Sequence, residues 1–215
     1  YRLKGQNESS RLAEEALMHF ENGFDHMKIK LGFGIDDDLE CMKKILEALA
    51  SRKTTLMIDT NHAYGRTEAL KLGMALNDYN LRWYEEPVVP EDLKGYSELK
   101  SKLTIPIAGG ENEHTLYGFK NLFEYNCVDI AQPDIGSCGG ITACKHISIL
   151  AQSFGIEVNP HVWGSAVAQS ASLQVIAALP ITHHSLFPRE PILEYDQSSH
   201  PFRKDLLEKP ISLNN

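Results

Sequence analysis

The chain has few cysteines, fewer basic than acidic residues, and no long apolar runs. Its four cysteines, Cys41, Cys127, Cys138 and Cys144, form no Cys-x-x-Cys pair, so we expect reduced structural thiols rather than zinc ligands or disulfides. A net charge of −8 and a pI near 5.6 argue against nucleic acid or an anionic membrane as a partner. Because we find no signal peptide and no apolar run of transmembrane length, we expect a cytoplasmic protein.

Low-complexity segments are absent as well, and the regular feature of the chain is an alternation of short apolar runs with longer helical patterns. Strands are predicted at residues 1–3, 26–30, 54–59, 81–85, 105–108, 128–131, 156–158 and 192–194. Helices are predicted at residues 8–22, 36–51, 66–78, 91–100, 115–124, 140–154 and 164–179. This order predicts an α/β fold, a TIM-like (β/α)7β catalytic barrel over residues 1–195, followed by a C-terminal tail at 196–215.

Ionisable residues close, or directly follow, most of the predicted strands. They are Lys30, Asp59, Glu85, Glu111, Asp134, His161 and Glu194. Successive members are separated by about the length of one βα unit, and the strand C-terminal ends of such a barrel converge on one mouth. Scattered surface charges have no reason to keep this period. The spacing therefore predicts one pocket that contains all of them.

Three of these residues are acids at the ends of consecutive strands, namely Asp59, Glu85 and Glu111. Neighbouring carboxylates repel one another unless a cation neutralises them. Oxygen ligands with room for water and substrate suit Mg²⁺, so we expect one such ion in the site. Because predicted strand ends can be displaced by a residue or more, Glu86 and Glu113 are alternatives to their neighbours as ligands.

Two lysines, Lys28 and Lys30, lie two positions apart on a predicted strand and hence on the same face. If that face lines the interior of the barrel, each ammonium group lowers the pKa of the other. One of them then becomes usable as a neutral base near pH 7.

A histidine and an acid follow the seventh and sixth predicted strands. Neighbouring strand ends allow Asp134 to accept a hydrogen bond from one nitrogen of His161, which fixes the tautomer and raises the basicity of the other nitrogen. Such a pair can take up or donate a proton. His62 and His114 lie near the predicted mouth and are candidates for contact with a substrate.

Seven short motifs, taken together, resemble the mandelate racemase and muconate lactonizing subgroup of the enolase superfamily in order and spacing. They are Lys28-Ile29-Lys30, Asp59-Thr60-Asn61, Trp83-Tyr84-Glu85-Glu86-Pro87, Gly109-Gly110-Glu111, Gln132-Pro133-Asp134, Asn159-Pro160-His161 and Leu193-Glu194-Tyr195-Asp196. The segments 59–64 and 160–164 are also similar to galactarolactone cycloisomerases, and Trp163 in the second segment is a further candidate for contact with a substrate.

The resemblance implies a role for each motif residue. Mg²⁺ bound by Asp59, Glu85 and Glu111 would chelate the carboxylate of a sugar acid or its lactone, and the intermediate would be an enediolate. Lys30, tuned by Lys28, would be the base on one face of the α-carbon, and His161 with Asp134 would act on the other face. Glu194 would hydrogen-bond a carboxylate oxygen as it gains charge, and Asn61 would line the mouth.

Three reactions share this first step. Reprotonation gives racemisation or epimerisation, expulsion of a β-hydroxyl with His161 as general acid gives dehydration, and expulsion of a ring oxygen gives lactone cycloisomerisation. We expect dehydration of a sugar acid first and cycloisomerisation second.

The ends of the chain suggest a shortened member of the subgroup, whose members also carry an α+β capping domain. Tyr1 falls inside the first predicted strand and Asn215 follows soon after the eighth, so we expect the cap to be absent from this chain. We therefore expect little catalysis from the chain by itself, and a homo-oligomer for a full-length form. An inactive barrel that folds or binds a partner without turnover is the alternative.

Overall fold

The structure is a computed structural model that describes residues 8–179, 190–196, 200–209 and 211. Its strands are β1 (His26–Lys30), β2 (Thr55–Asp59), β3 (Tyr84–Glu85), β4 (Ile107–Gly109), β5 (Ile130–Ala131) and β6 (Glu157–Val158). Its helices are α1 (Glu8–Glu21), α2 (Ile35–Leu49), α3 (Arg66–Leu76), α4 (Leu93–Lys102), α5 (Thr115–Glu124), α6 (Gly140–Ser153), α7 (Ala166–Ala178) and α8 (Pro201–Lys204), with a 3₁₀ turn at Asn77–Tyr79. The described strands form one parallel sheet in the order β1-β2-β3-β4-β5-β6.

The chain divides into two compact units, residues 1–108 and 109–215. In the first unit, β1 pairs with β2, β2 with β3, and β3 with β4, all in parallel. The register places Lys30 opposite Asp59, and Asp59 opposite Glu85. Because parallel strands end at the same edge of a sheet, these three residues stand side by side at that edge.

Apolar side chains of the strands and of one helix face form the core of the first unit. Ile58 and Tyr84 are completely buried on their strands. Helix α2 contributes Cys41, Met42 and Ile45, whose spacing places them on one helix face. Cys41 is buried there, and the other three cysteines of the chain, which lie in the second unit, are buried as well.

A network of hydrogen bonds holds the loop that follows β1. The buried Asp38 carboxylate accepts from the backbone N–H groups of Gly32 and Phe33 at 2.8 and 3.2 Å and from the Tyr64 hydroxyl at 2.5 Å. Gly32 has φ +104°, and a Cβ atom there would come within 2.9 Å of the Thr60 carbonyl oxygen. Only glycine fits this position, so the loop after β1 packs directly against the loop after β2.

The second unit contains β5 and β6, which pair in parallel with Ala131 opposite Val158. The Gln132 N–H donates to the carbonyl oxygen of Gly109 at 2.9 Å, which links the end of β5 to β4. Phe119 of α5 and Ile147 of α6 are fully buried and provide core packing between helices and strands.

The predicted elements between residues 8 and 179 are observed in type and order, although β2 to β6 begin one to three residues later than predicted. The predicted strand at 1–3 lies outside the described residues. Residues 192–194, predicted as the eighth strand, form no strand, because Pro191 lacks an N–H group and the Ile192 N–H donates to the Asn159 side chain at 2.8 Å. The short helix α8 was not predicted. Among the described helices, none is long and apolar enough to cross a membrane.

Candidate active site

Two lysines and two carboxylates form a compact charged cluster at the ends of β1, β2 and β3. The Lys28 ammonium donates to Glu85 Oε1 at 2.5 Å and lies 3.8 Å from Asp59 Oδ2. The Lys30 ammonium donates to Asp59 Oδ2. The Asp59 and Glu85 side chains are only 0 % and 1 % exposed, so these ion pairs lie in a largely desolvated setting.

Trp83 is a member of this cluster that sequence reasoning missed. Its indole Nε1 donates to Glu85 Oε2 at 2.9 Å, so both oxygens of the Glu85 carboxylate are engaged. Trp83 lies two residues before Glu85, and positions i and i+2 of an extended chain point to the same side. This spacing of two residues is the feature of the sequence that could have predicted the contact between Trp83 and Glu85.

The pKa values of the cluster show how its charges compete. Burial lowers the pKa of Lys30 and the Lys28 ammonium lowers it further, but the Asp59 and Glu85 carboxylates outweigh both, so this pKa lies above its ordinary value. The net direction is opposite to the one predicted from the lysine pair alone. Burial also raises the pKa of Asp59, the Glu85 carboxylate adds to the rise, and the lysines oppose it.

A histidine with three acidic neighbours forms the second cluster, at the ends of β5 and β6. His161 Nδ1 lies 2.7 Å from Asp134 Oδ2, the pairing expected from the sequence. His161 Nε2 lies 3.3 Å from Glu111 Oε2 and 3.9 Å from Glu194 Oε2. Because an ionised carboxylate only accepts hydrogen bonds, Asp134 requires the proton on Nδ1 and leaves Nε2 for chemistry.

The neighbours of His161 are themselves held by backbone groups. The second Asp134 oxygen accepts from the Gly136 N–H at 2.6 Å, and Glu194 Oε2 accepts from the Val162 N–H at 2.8 Å. Glu194 therefore reaches the histidine although residues 192–194 form no strand. Such supporting bonds fix the direction of each carboxylate before a substrate binds.

Asp59 and Glu85, in the first unit, belong to the candidate metal group, to which the sequence also assigns Glu111. One carboxylate oxygen of Asp59 lies within 4.8 Å of one of Glu85. Buried carboxylate oxygens of this kind fit a small divalent cation such as Mg²⁺. The alternative acid Glu86 has a different environment, since its side chain meets Asn61 and His62.

The remaining predicted residues occupy different surroundings. Asn61 Oδ1 accepts from Lys30 at 3.1 Å, and His62 Nδ1 lies 3.2 Å from Glu86. His114 Nδ1 lies 3.1 Å from the Ser137 carbonyl oxygen, which makes it a donor to the backbone. Trp163 is more than half exposed and borders a small cavity together with Glu194 and Arg203.

Comparison with known proteins assigns the chain to a family. The sequence profile of the enolase C-terminal domain-like family matches residues 11–214. The chain belongs to this family. Within it, D-galactarolactone cycloisomerase from Agrobacterium fabrum is 40 % identical over 94 % of this chain and 53 % of its own length. L-Rhamnonate dehydratase from Saccharopolyspora erythraea is 40 % identical over 62 % of this chain and 34 % of its own length.

Solved structures of the family support the same assignment. The 3,6-anhydro-D-galactonate cycloisomerase from Zobellia galactanivorans has a TM-score of 0.85 and 41 % identity, covering 94 % of this chain and 55 % of that one. A racemase from Streptomyces coelicolor A3(2) with bound magnesium has a TM-score of 0.74 and 28 % identity, covering 80 % of this chain and 47 % of that one. The resemblance to the mandelate racemase subgroup and the TIM-like fold class are confirmed. The two cycloisomerases match most of this chain, but the chain spans only about half of their length.

Proposed function

We propose that this chain carries the catalytic residues of a Mg²⁺-dependent enzyme that removes the proton α to the carboxylate of a sugar-acid lactone and opens the ring by cycloisomerisation. The observation that carries the proposal is the hydrogen-bonded pair of His161 and Asp134 at 2.7 Å, beside an acid that also belongs to the candidate metal group. The similarity to two cycloisomerases over 94 % of the chain supports the choice of reaction.

Asp59, Glu85 and Glu111 are the residues that would hold the cation. When bound, Mg²⁺ would supply positive charge that stabilises the negative charge developing on the substrate carboxylate. The Lys28 ammonium also supplies positive charge to this site, because it lies 3.8 Å from Asp59 and 2.5 Å from Glu85. An α-proton beside a carboxylate is barely acidic, so this electrostatic stabilisation is the main catalytic task.

Lys30 is the proposed base, and a cation held by Asp59 and Glu85 would offset the two carboxylates that raise its pKa. Lys30 would take the α-proton with its amino group, and the electron pair of the broken C–H bond would be delocalised into the carboxylate to give the enediolate. That pair would then form a double bond between the α- and β-carbons while the bond between the β-carbon and the ring oxygen breaks, and the oxygen would leave with its electron pair. Asn61, which accepts from Lys30 at 3.1 Å, would hold the amino group in position.

His161 is the proposed general acid and would act on the face of the α-carbon opposite to the one where Lys30 acts. Its Nδ1 proton is held by Asp134, so Nε2 is the nitrogen that would deliver a proton to the leaving oxygen or to the carbon of the resulting enol. No atoms are gained or lost, and the product is a 2-keto acid with the same formula as the lactone. Glu194 would add a hydrogen bond to the substrate carboxylate.

Dehydration of an open-chain sugar acid is the second candidate. The same base and acid would act, but the leaving group would be a β-hydroxyl that departs as water. The 40 % identity to L-rhamnonate dehydratase over 62 % of the chain favours keeping this reaction.

The test is a screen of hexaric and hexonic acids and their lactones with Mg²⁺, using the native protein. Loss of a lactone with a product of unchanged mass supports cycloisomerisation, whereas a product lighter by one water supports dehydration. His161→Asn should lose whichever of these products forms. Its matched control is His26→Asn, because His26 also pairs with a carboxylate, Asp25 at 2.7 Å, but lies at the start of β1. If neither this chain nor a version that carries the capping domain of the family forms a keto acid from any of these compounds, the proposal is wrong.

A further inference from the structure

The loops after β2 and β3 contain an unusual backbone arrangement. Asn61, His62 and Glu86 have φ values of 42°, 50° and 44°, in the left-handed region that side-chain-bearing residues rarely adopt. The His62 N–H donates to the Glu86 carbonyl oxygen at 2.8 Å, and the Thr60 hydroxyl donates to the same oxygen at 2.9 Å. Backbone strain of this kind persists only where the surroundings enforce it, and it concentrates at functional sites.

The side chains of these loops meet at one carboxylate. Glu86 is 1 % exposed, and its Oε2 lies 3.2 Å from His62 Nδ1 and 3.4 Å from Asn61 Nδ2. An ionised carboxylate can only accept, so Nδ1 of a neutral His62 must carry the hydrogen. The other ring nitrogen, Nε2, is then an acceptor, on a side chain that is 44 % exposed.

The pair of His26 and Asp25 is an exposed counterpart with which the pair of His62 and Glu86 can be compared. His26 Nδ1 lies even closer to its acid, at 2.7 Å, but the Asp25 side chain is 67 % exposed and the pair lies at the other end of β1. Near His62, by contrast, a buried carboxylate and three left-handed residues hold the ring at the strand ends that carry the catalytic residues. A buried acid holds its partner in one orientation because few alternatives are available to it.

We infer that His62, oriented by Glu86, determines specificity by accepting a hydrogen bond from a hydroxyl group of a polyhydroxy acid. The inference rests on the proposed function, since it assigns a substrate group to the same site. Glu86 is a positioning residue in this view rather than a metal ligand. Glu86 also accepts from the Asn61 side chain, whose Oδ1 accepts from Lys30. One chain of hydrogen bonds therefore joins the His62 imidazole to the proposed base.

The first test measures the tautomer of His62 and needs no turnover. Long-range ¹H–¹⁵N spectra of the histidine-labelled chain should show His62 protonated at Nδ1, with the signal assigned by its loss in His62→Gln. Glu86→Gln should shift His62 toward the Nε2–H form, because an amide can donate to Nδ1. The signal of His26 should not change. A native His62 with its proton on Nε2 would overturn the inference.

The second test measures recognition of hydroxyl groups by comparing binding of galactarate with binding of its fully deoxygenated analogue, adipate, in the presence of Mg²⁺. The native protein should prefer galactarate, and His62→Phe should reduce this preference about 10-fold, as expected when one hydrogen-bond partner is removed. His62→Gln, which keeps an acceptor, should restore part of the preference, and His26→Phe should leave it unchanged.

The outcomes of the second test separate this inference from the proposed function. An unchanged preference in His62→Phe, or no preference in the native protein, overturns the role of His62. A preference that depends on His62 supports it even if no lactone or acid is turned over, and that absence of turnover would count against the proposed reaction alone.

Discussion

Glu85 and Glu86 are adjacent acids with different environments. Glu85 belongs to β3, and its carboxylate accepts from Lys28 and Trp83. Glu86 follows the strand with φ 44°, and its carboxylate meets Asn61 and His62 instead. The change of backbone conformation between them redirects the second side chain. Two identical residue types therefore take on different chemistry because the strand ends between them.

At this scale, removal of either proposed proton-transfer residue should abolish turnover. We expect Lys30→Ala and His161→Asn each to lower kcat by about 100-fold or more, the range for loss of a general acid or base. Exchange of the α-proton with deuterated solvent, followed by NMR, should survive in only one of the two variants, and the variant that loses it identifies the base. Near-normal rates in both would contradict the mechanism; Lys120→Ala, on the exposed face of α5, serves as the control.

Among the secondary-structure elements, the parallel register aligns the functional groups of the first unit. Lys30, Asp59 and Glu85 end consecutive strands and are direct register partners. Each strand is short, so a shift of one residue would turn these side chains toward the opposite face of the sheet. The apolar residues that alternate with them, such as Ile29 and Ile58, are buried and oppose such a shift.

Helix α4 allows a prediction about stability and pH. Asp92 caps this helix by accepting from the Gly95 N–H at 3.0 Å, and it also accepts from the Arg66 guanidinium. We expect Asp92→Ala to lower the free energy of unfolding by about 1 kcal/mol at pH 7, the usual cost of losing an N-cap. Urea unfolding of both proteins measures the difference.

The pH dependence of this difference has a definite sign. The hydrogen bond from Arg66 holds the pKa of Asp92 below its ordinary value, so the folded state favours the ionised form. Its contribution is present above the unfolded-state pKa of about 3.9 and is lost as the pH falls through the lower folded-state pKa. The gap between the native protein and Asp92→Ala should therefore shrink in acid. A gap that grows as the pH falls would show that the carboxylate charge is not responsible.

For the whole molecule, we expect Mg²⁺ to stabilise the fold. A ligand that binds only the folded state at about 100 times its Kd adds about 2.7 kcal/mol, or about 5–10 °C in Tm for a chain of this size. Asp59→Asn should lose most of this Mg²⁺-dependent shift, whereas Glu124→Gln, an exposed acid on α5, should keep it. Thermal unfolding with Mg²⁺ and with EDTA measures both. An equal shift in Asp59→Asn would place the cation elsewhere.

Most of the helices and strands could be predicted because the sequence pattern that specifies each of them lies within the element itself. Helix α5 was predicted with the observed bounds, since its apolar spacing and flanking polar residues are complete within the segment. The pairing of His161 with Asp134 could be predicted because consecutive parallel strands bring their ends together. The segment at 192–194 could not, because its outcome depends on Asn159, more than thirty residues away, whose side chain takes the hydrogen bond of Ile192.

The sequence by itself determined the alternation of strands and helices and the type of ionisable residue at each strand end, because burial and backbone preference act on neighbouring residues. Only the tertiary structure decided which carboxylate meets which cation. The pKa of Lys30 is raised because Asp59 and Glu85 lie close to it, and Glu86 faces His62 because the His62 N–H donates a hydrogen bond to the Glu86 carbonyl oxygen. These outcomes depend on distances between residues far apart in the chain, since electrostatic and hydrogen-bond energies change steeply over a few ångströms.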